Sequence, residues 1–144
     1  MFSYNKSLGY IYRTTLCKLC DQEEEDVDHL FFRCGFVKQF WGWFCNWSNF
    51  QLPADLTFVS LENHGESLRN CKKVQKLYWA LVYDALWSIW MARNDSIFKN
   101  KRANPMKTAE EMQLNSYNWL KNRGNCSNLN WYEWCNSPFH FCTM

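Results

Sequence analysis

The sequence predicts a mainly α-helical domain of about three helices, with an N-terminal zinc-binding loop of the Cys3His type. Two observations lead to this prediction. Three cysteines and one histidine fall within eighteen residues near the N-terminus. Apolar residues after them recur at steps of three and four, which is the period of a helix buried on one face. A chain of 144 residues is most simply one domain, long enough to bury a real core.

The metal motif is Cys17-x2-Cys20-x8-His29-x4-Cys34. A gap of two residues allows a tight turn to aim both sulfurs of the first pair at one ion, and three thiolates with one imidazole complete a tetrahedral zinc shell. Sulfur ligands favour zinc over calcium, magnesium or manganese. Because the protein fills all four positions, the motif predicts one structural Zn²⁺ rather than a catalytic one. The alternative is four unrelated residues in a chain with eight cysteines.

The first helix is predicted to begin around Asp28, with Asp26 or Asp28 as its N-cap, so that residues 17–47 form the metal loop and this helix. His29 and Cys34 are five residues apart, which is about 140° around an α-helix. Both reach one ion only if His29 lies at the start of the helix and Cys34 leans back from the first turn. We expect Glu25 or Asp28 to orient the free imidazole nitrogen.

The rest of the zinc-nucleated domain, 17–144, is divided by breaks in the apolar pattern. A loop marked by Pro and Gly is predicted until about residue 66. A long helix follows over about 67–99, and a third helix over about 105–123, with Pro105 at its start. The long helix is apolar nearly all round, so it should be central or bury a second face against a partner. That face could be covered by the aromatic tail, 125–144, or by another copy of the chain.

Charge is distributed unevenly along the chain. The formal net charge of +2 divides into −4 over residues 1–66 and +6 over residues 67–144. The acidic run in the metal loop would repel phosphate, so the basic half is the better candidate for a nucleic-acid surface. The alternative is that its cations are solvated helix ends. The candidate nucleic-acid-binding residues are Lys72, Lys73, Lys76, Lys99, Lys101 and Arg102.

Arg93 and Asn94 interrupt the apolar pattern of the long helix. We expect Arg93 to pair with Asp84 or Asp95 or to cap a neighbouring loop, because an unpaired buried charge is costly. The alternative is a ligand contact. His64 lies in the predicted loop without an evident partner and is expected at the surface.

The remaining cysteines carry weaker expectations. Cys45 and Cys71 are most simply packing residues. A second zinc site in the tail is an alternative to ordinary cysteines there, although no Cys-x2-Cys pair anchors it. Its ligands would be Cys126, Cys135, His140 and Cys142.

Several function classes find no support in the sequence. No glycine-rich phosphate loop is evident in a chain with five glycines, and no Ser/Cys–His–Asp arrangement has supporting context, so we name no catalytic residue. No apolar run of about 18 residues is present, and the N-terminus lacks the features of a secretory signal. We therefore expect an intracellular protein with reduced thiols and no membrane partner, in either nucleus or cytoplasm.

The metal motif and its surroundings resemble the reverse-transcriptase zinc-binding domain at the C-terminal end of plant non-LTR (LINE-type) retrotransposon polyproteins. Asp26 departs from the small hydroxyl residue usual in that family. We expect residues 1–16 to be the remainder of a longer upstream stretch, and the chain has no polymerase or endonuclease region. The matching segments are Cys17–Cys20, Glu25–Cys34 with Trp41 following, Leu86–Phe98 with Arg93-Asn94, and, more weakly, Ser116–Arg123 and Trp131-x2-Trp134.

The resemblance implies a non-catalytic accessory segment of a retroelement RNA-directed DNA polymerase. Such a segment would help to hold RNA or DNA, or support the polymerase region of the same element. Two further readings stay open: a protein-interaction module or inactive retrotransposon-derived fragment that docks a partner through exposed aromatic residues, and a metal-dependent enzyme, which would need an open metal position. Self-association is compatible with the first of these.

Overall fold

The protein is mainly helical, as the sequence predicts. The computed structural model describes residues 2–5, 10–13, 16–123, 126 and 128–138. Two antiparallel strands, with Phe2 opposite Arg13, lie within residues 1–16, for which the sequence predicted no element. The elements are β1 (Phe2–Asn5), β2 (Tyr10–Arg13), a π-helical turn (His29–Arg33), α1 (Gly35–Ser48), α2 (Phe58–Ser67), α3 (Lys72–Phe98), α4 (Pro105–Arg123) and α5 (Trp131–Asn136).

The first predicted helix is divided in two. Residues up to Arg33 form the π-helical turn, Cys34 has an extended backbone with φ −59° and ψ 136°, and α1 begins at Gly35. Helix α1 ends at Ser48, and the next residue, Asn49, has a φ of 61°, in the left-handed region that asparagine tolerates after a helix end. The prediction of one continuous helix from about residue 28 to residue 47 is therefore wrong at Cys34.

Helix α2 lies inside the segment predicted as a loop, so that prediction is wrong. Thr57 caps the helix: its side chain accepts a hydrogen bond from the Ser60 amide at 3.1 Å, and the Ser60 hydroxyl accepts one from the Thr57 amide at 2.7 Å. This is a capping box in which serine replaces the usual Glu or Gln. Gly65 is buried because α2 packs closely on α3, and a Cβ there would overlap the Trp79 ring.

Helix α3 is the long helix expected from the sequence, and α4 has the bounds predicted for the third helix. Helix α4 packs against α1, α3 and α5, while α2 packs against α3. Trp134 of α5 is fully buried and joins three helices through hydrogen bonds. Its indole N–H donates to the Gln113 carbonyl at 3.0 Å, and its own carbonyl accepts from the Trp47 indole at 2.8 Å.

The core consists largely of side chains from α1, α3 and α4. Residues 16–34 contribute Leu30 and Phe32 to it, together with the buried thiols of Cys17 and Cys34. The metal loop is therefore attached to the core at the beginning of α1. None of the helices that the structure describes is long and apolar enough to cross a membrane. The division into an upstream segment, residues 1–16, and a zinc-nucleated domain, residues 17–144, stays a prediction.

Candidate metal centre

The structure brings the four predicted ligands together. Their ligand atoms all lie within 4.8 Å of one another. The two sulfurs of Cys17 and Cys34 are 3.9 Å apart, and the Cys20 sulfur is 3.5 Å from Nε2 of His29. Tetrahedral zinc at usual bond lengths separates two sulfurs by about 3.8 Å and a sulfur from an imidazole nitrogen by about 3.6 Å. The donor set and its spacing therefore fit one Zn²⁺.

A tight hairpin positions the first two ligands. Leu16 and Glu24 form an antiparallel bridge, and the Cys17 amide donates to the Glu23 carbonyl at 2.8 Å. Asp21 completes the turn with a φ of 55°, in the left-handed region that Asp tolerates better than most residues. The chain reverses over a few residues, so Cys17 and Cys20 present their sulfurs to the same side.

The π-helical turn positions the other two ligands. The Cys34 amide donates to the His29 carbonyl at 2.9 Å, a bond between residues five apart that defines a π turn. In an α-helix two such residues diverge by about 140°, whereas the wider turn brings Cys34 back towards the side of His29. Cys34 was expected to point back from the first turn towards His29. The wider turn, followed by the break in the helix at Cys34, produces this orientation.

Asp26 caps this turn, as predicted for Asp26 or Asp28. Its carboxylate accepts a hydrogen bond from the His29 amide at 2.7 Å and pairs with Arg33, each carboxylate oxygen lying 2.9 Å from the guanidinium. The hydrogen bond from the His29 amide lowers the pKa of Asp26, and the positive charge of Arg33 lowers it further. Asp28 makes no capping hydrogen bond. A carboxylate caps a helix as well as a small hydroxyl side chain does, so the departure from the family pattern preserves the turn.

The two buried sulfurs share one hydrogen bond. Donation from Cys17 to Cys34 raises the pKa of Cys17 well above its ordinary value, and burial adds to this. Acceptance of the same bond lowers the pKa of Cys34, and the first amides of α1 also donate to its sulfur. Zinc binds thiolates, so its binding would release the shared proton.

The two ring nitrogens of His29 have different neighbours. Nε2 faces the sulfurs, and Nδ1 lies 3.6 Å from the Glu23 carboxylate, which is long for a direct hydrogen bond. The structure thus places Glu23 nearest the free nitrogen, where we expected Glu25 or Asp28. Glu25 is engaged elsewhere, and the Asp28 side chain is exposed.

Glu25 instead pairs with Arg93 of α3, with 2.8 Å between Oε1 and Nε, and both side chains are 16% exposed. The guanidinium also lies 4.9 Å from the centre of the Trp90 ring. The ion pair expected for Arg93 is present, but Asp84 and Asp95 were the wrong partners. The metal loop folds over α3 and supplies the carboxylate from a distant part of the sequence.

Asp84 and Asp95, the two partners predicted for Arg93, have different surroundings. Asp95 pairs with Lys99 at 3.2 Å. Asp84 has one buried carboxylate oxygen without a hydrogen-bond partner, and burial raises its pKa to about 6.

The predicted basic residues form two separate groups. Lys72, Lys73 and Lys76 lie in the first turns of α3, and the other three follow its C-terminal end. A helix of 27 residues is about 40 Å long, so the groups lie at opposite ends. Lys101 and Arg102 border a cavity of about 270 Å³ between α3 and α4.

In the part of the chain that the structure describes, one face of α3 carries large side chains that remain exposed to solvent. The sequence predicted a second apolar face on this helix but could not say what covers it. Helix α5 packs on α4 rather than on this face. The exposed side chains are Tyr83, Trp87, Trp90, Met91 and Phe98.

His64 is not a surface loop residue, so that prediction is wrong. It belongs to α2 and is half-buried. Its ring centre lies 5.8 Å from that of Phe50 and 5.1 Å from that of Tyr78, and burial lowers its pKa.

Cys45, Cys71 and Cys135 are free thiols. Cys45 is half-buried, and burial raises its pKa, in agreement with a packing role. Cys71 is exposed, so the packing role predicted for it is wrong. His140 and Cys142 lie outside the described residues, so the second zinc site stays a prediction. The first site is the one cluster of three or more potential metal ligands found among the described residues.

Comparison with known proteins supports the metal centre. Residues 6–41 match the family described as zinc-binding in reverse transcriptase, and this stretch contains all four ligands. No curated protein and no solved structure matches the chain. The predicted resemblance to a reverse-transcriptase zinc-binding domain is confirmed over the metal loop and the start of α1. Origin from a plant LINE element stays a prediction.

Proposed function

We propose that this chain is a non-catalytic zinc-binding module of a retroelement reverse transcriptase that assists the binding of RNA or DNA. The observation that carries the proposal is the coincidence of the compact Cys3His cluster with the family match over the same residues. A non-LTR element of the LINE type is the proposed source, and the polymerase region of the same element is the proposed neighbour.

The donor set supports a structural role for the metal. Three sulfurs and one imidazole would occupy the four tetrahedral positions of a zinc ion and leave none for an activated water. Cys17, His29 and Cys34 are almost fully buried, which would also keep solvent from the ion. Cobalt substitution tests this point. We expect the absorption spectrum of a four-coordinate, thiolate-rich site, whereas a spectrum showing a bound, exchangeable water would favour the enzyme reading.

Charge and exposed rings support nucleic-acid binding by the helical half. The metal loop is acidic and would repel phosphate, whereas residues 67–144 carry a net charge of +6. Cations lie at both ends of α3, and exposed aromatic side chains lie between them. Cationic grooves with stacking rings are typical of proteins that bind nucleic acid without reading its sequence.

A titration of the zinc-loaded chain with labelled RNA and DNA at several salt concentrations tests this function. Affinity should fall as salt rises, because phosphate contacts release counterions. Substitution of Lys72, Lys73 and Lys76 by Gln should weaken binding. Lys38→Gln serves as the control, because Lys38 is an exposed lysine on α1, in the acidic half of the chain. Absence of salt-dependent affinity for any nucleic acid would contradict the proposal.

A protein-docking role is the second candidate, favoured by the exposed face of α3. Exposed apolar patches of this kind mark interaction sites in many proteins. If this role is correct, the chain self-associates or retains a protein partner, and it does so without affinity for nucleic acid. Sedimentation of the zinc-loaded chain over a concentration series distinguishes the two candidates.

A further inference from the structure

The cavity between α3 and α4 combines groups that neither helix presents alone. Trp87 and Met91 come from α3, Lys101 and Arg102 from the following loop, and Lys107 from α4. Its volume of about 270 Å³ lies just below the range of about 300–1,000 Å³ usual for small-molecule sites. It therefore suits one small group of a larger ligand rather than a whole cofactor.

The three cations of this cleft are available to a ligand. In the part of the chain that the structure describes, the side chains of Lys101, Arg102 and Lys107 make no ion pair or hydrogen bond, and all three residues are exposed. Asp95 and Glu111 also line the cleft. Asp95 is already paired with Lys99 at 3.2 Å, so the cleft keeps an excess of positive charge.

Trp87 supplies a flat apolar surface inside this charged cleft. Its side chain is 58% exposed, and the neighbouring lining residues Ser88 and Ala92 are small. No ring of the described residues stacks on this indole, so its face is available for stacking. Stacking on an exposed ring beside cations is how proteins hold the bases and the backbone of an unpaired strand.

We propose that the α3–α4 cleft binds single-stranded nucleic acid, with a base stacked on Trp87 and the adjoining phosphates contacted by Lys101, Arg102 and Lys107. The inference rests on the proposed function and adds to it the place of binding and the class of strand. A duplex is disfavoured, because its bases stack on one another and offer no free face to a side chain. Lys72 lies 15 residues before Trp87, about 22 Å along the helix, and is not part of this site.

The test uses fluorescence anisotropy with the zinc-loaded full chain and labelled oligouridine, oligothymidine and a hairpin duplex. We expect either single strand to bind more tightly than the duplex. Trp87→Ala should weaken single-strand binding roughly 5- to 150-fold, whereas Trp87→Phe should keep most of the affinity. Trp119→Ala is the matched control, because Trp119 is 51% exposed on α4 and does not line the cleft. Circular dichroism checks that each variant folds.

The charge of the cleft is tested separately. Replacement of Lys101, Arg102 and Lys107 by Gln should make the negative slope of log affinity against log salt shallower by about 2, since each phosphate contact on a single strand contributes about −0.7. Lys38→Gln should leave the slope unchanged.

The outcomes distinguish failure of the cleft proposal from failure of the proposed function. If the chain binds nucleic acid but Trp87→Ala and Trp119→Ala behave alike, or the duplex binds more tightly, the cleft proposal is overturned and the proposed function stands. If no oligonucleotide binds, both proposals fall. Loss of self-association in Trp87→Ala without any change in oligonucleotide affinity would show that this face is a protein interface and would also overturn the inference.

Discussion

The metal region, residues 16–34, and the helical core of α1, α3, α4 and α5 are stabilised by different means. The metal region buries few apolar side chains, and its acidic loop is exposed, so its shape depends on four ligands that converge on one point. The core depends on many ring contacts and on indole hydrogen bonds between helices. We therefore expect one Zn²⁺ to stabilise the first region, whereas stabilisation is shared among many residues in the second.

The largest effect is expected from Cys20→Ser. Zinc binding can contribute about 10–16 kcal/mol in zinc-finger peptides, which is comparable with the net stability of a whole domain. We expect the variant to lose stoichiometric zinc and to form a molten or aggregating chain. Cys71→Ser, at an exposed thiol, should behave as the wild type. A cooperative thermal transition of Cys20→Ser that matches the wild type would show that zinc is not structural.

Trp134→Ala tests the core without touching the metal. Removal of a fully buried indole should lower the free energy of unfolding by about 3–5 kcal/mol, because it leaves a cavity and deprives the Gln113 carbonyl of its donor. Denaturant titration measures the loss, and Tyr132→Ala, at an exposed ring of the same helix, is the control. The folded variant should still bind one zinc, and loss of zinc would mean that the packing of Trp134 is also needed to hold the four ligands together.

Asp84 provides a pH-dependent effect confined to the core. Its pKa is raised to about 6 from an ordinary value of 3.8, so between these values the folded state binds more protons than the unfolded state. Stability from this group is therefore full below about pH 4 and is lost as pH rises through 6, by up to about 3 kcal/mol. Asp84→Asn should remove this component of the pH profile, measured by urea unfolding from pH 4 to 8. An unchanged profile would mean that Asp84 is hydrated when ionised.

The smallest effect tests the ion pair between Glu25 and Arg93, which joins the two regions. A double-mutant cycle on Glu25→Gln and Arg93→Gln should give a coupling energy of about 1–2 kcal/mol, between the values for exposed and buried pairs. The more solvent-accessible pair of Asp95 and Lys99 is the control and should give about 0.5 kcal/mol or less. A coupling energy near zero for Glu25 and Arg93 would mean that the metal loop and α3 are not held together by this contact.

Local spacing allowed the metal ligands and α4 to be predicted. The four ligands fall within eighteen residues, so their convergence depends on two short turns. Helix α4 begins at a proline and has the bounds that the periodicity indicates. The π turn was not predicted, because a five-residue spacing was interpreted on an α-helix. Helix α2 was missed because Ser60 does not resemble the usual capping-box residue and Gly65 suggested a break.

Contacts between distant residues could not be predicted. Glu25 and Arg93 are separated by 68 positions, and each had nearer partners of suitable charge. The α3–α4 cleft combines a helix face, a loop and the next helix, so its cations and Trp87 share no sequence pattern. The sequence indicated only that Trp87 lies on a second apolar face of α3, and this pattern could not specify which residues lie opposite that face.

The most direct test of the metal centre is the zinc content of the purified chain, measured with circular dichroism before and after addition of a strong chelator. We predict one equivalent of zinc and a loss of helical signal on chelation, because Cys17, Cys20, His29 and Cys34 fix the start of the helical domain. A chain that contains no zinc, or one whose circular dichroism is unchanged by the chelator, would contradict this account.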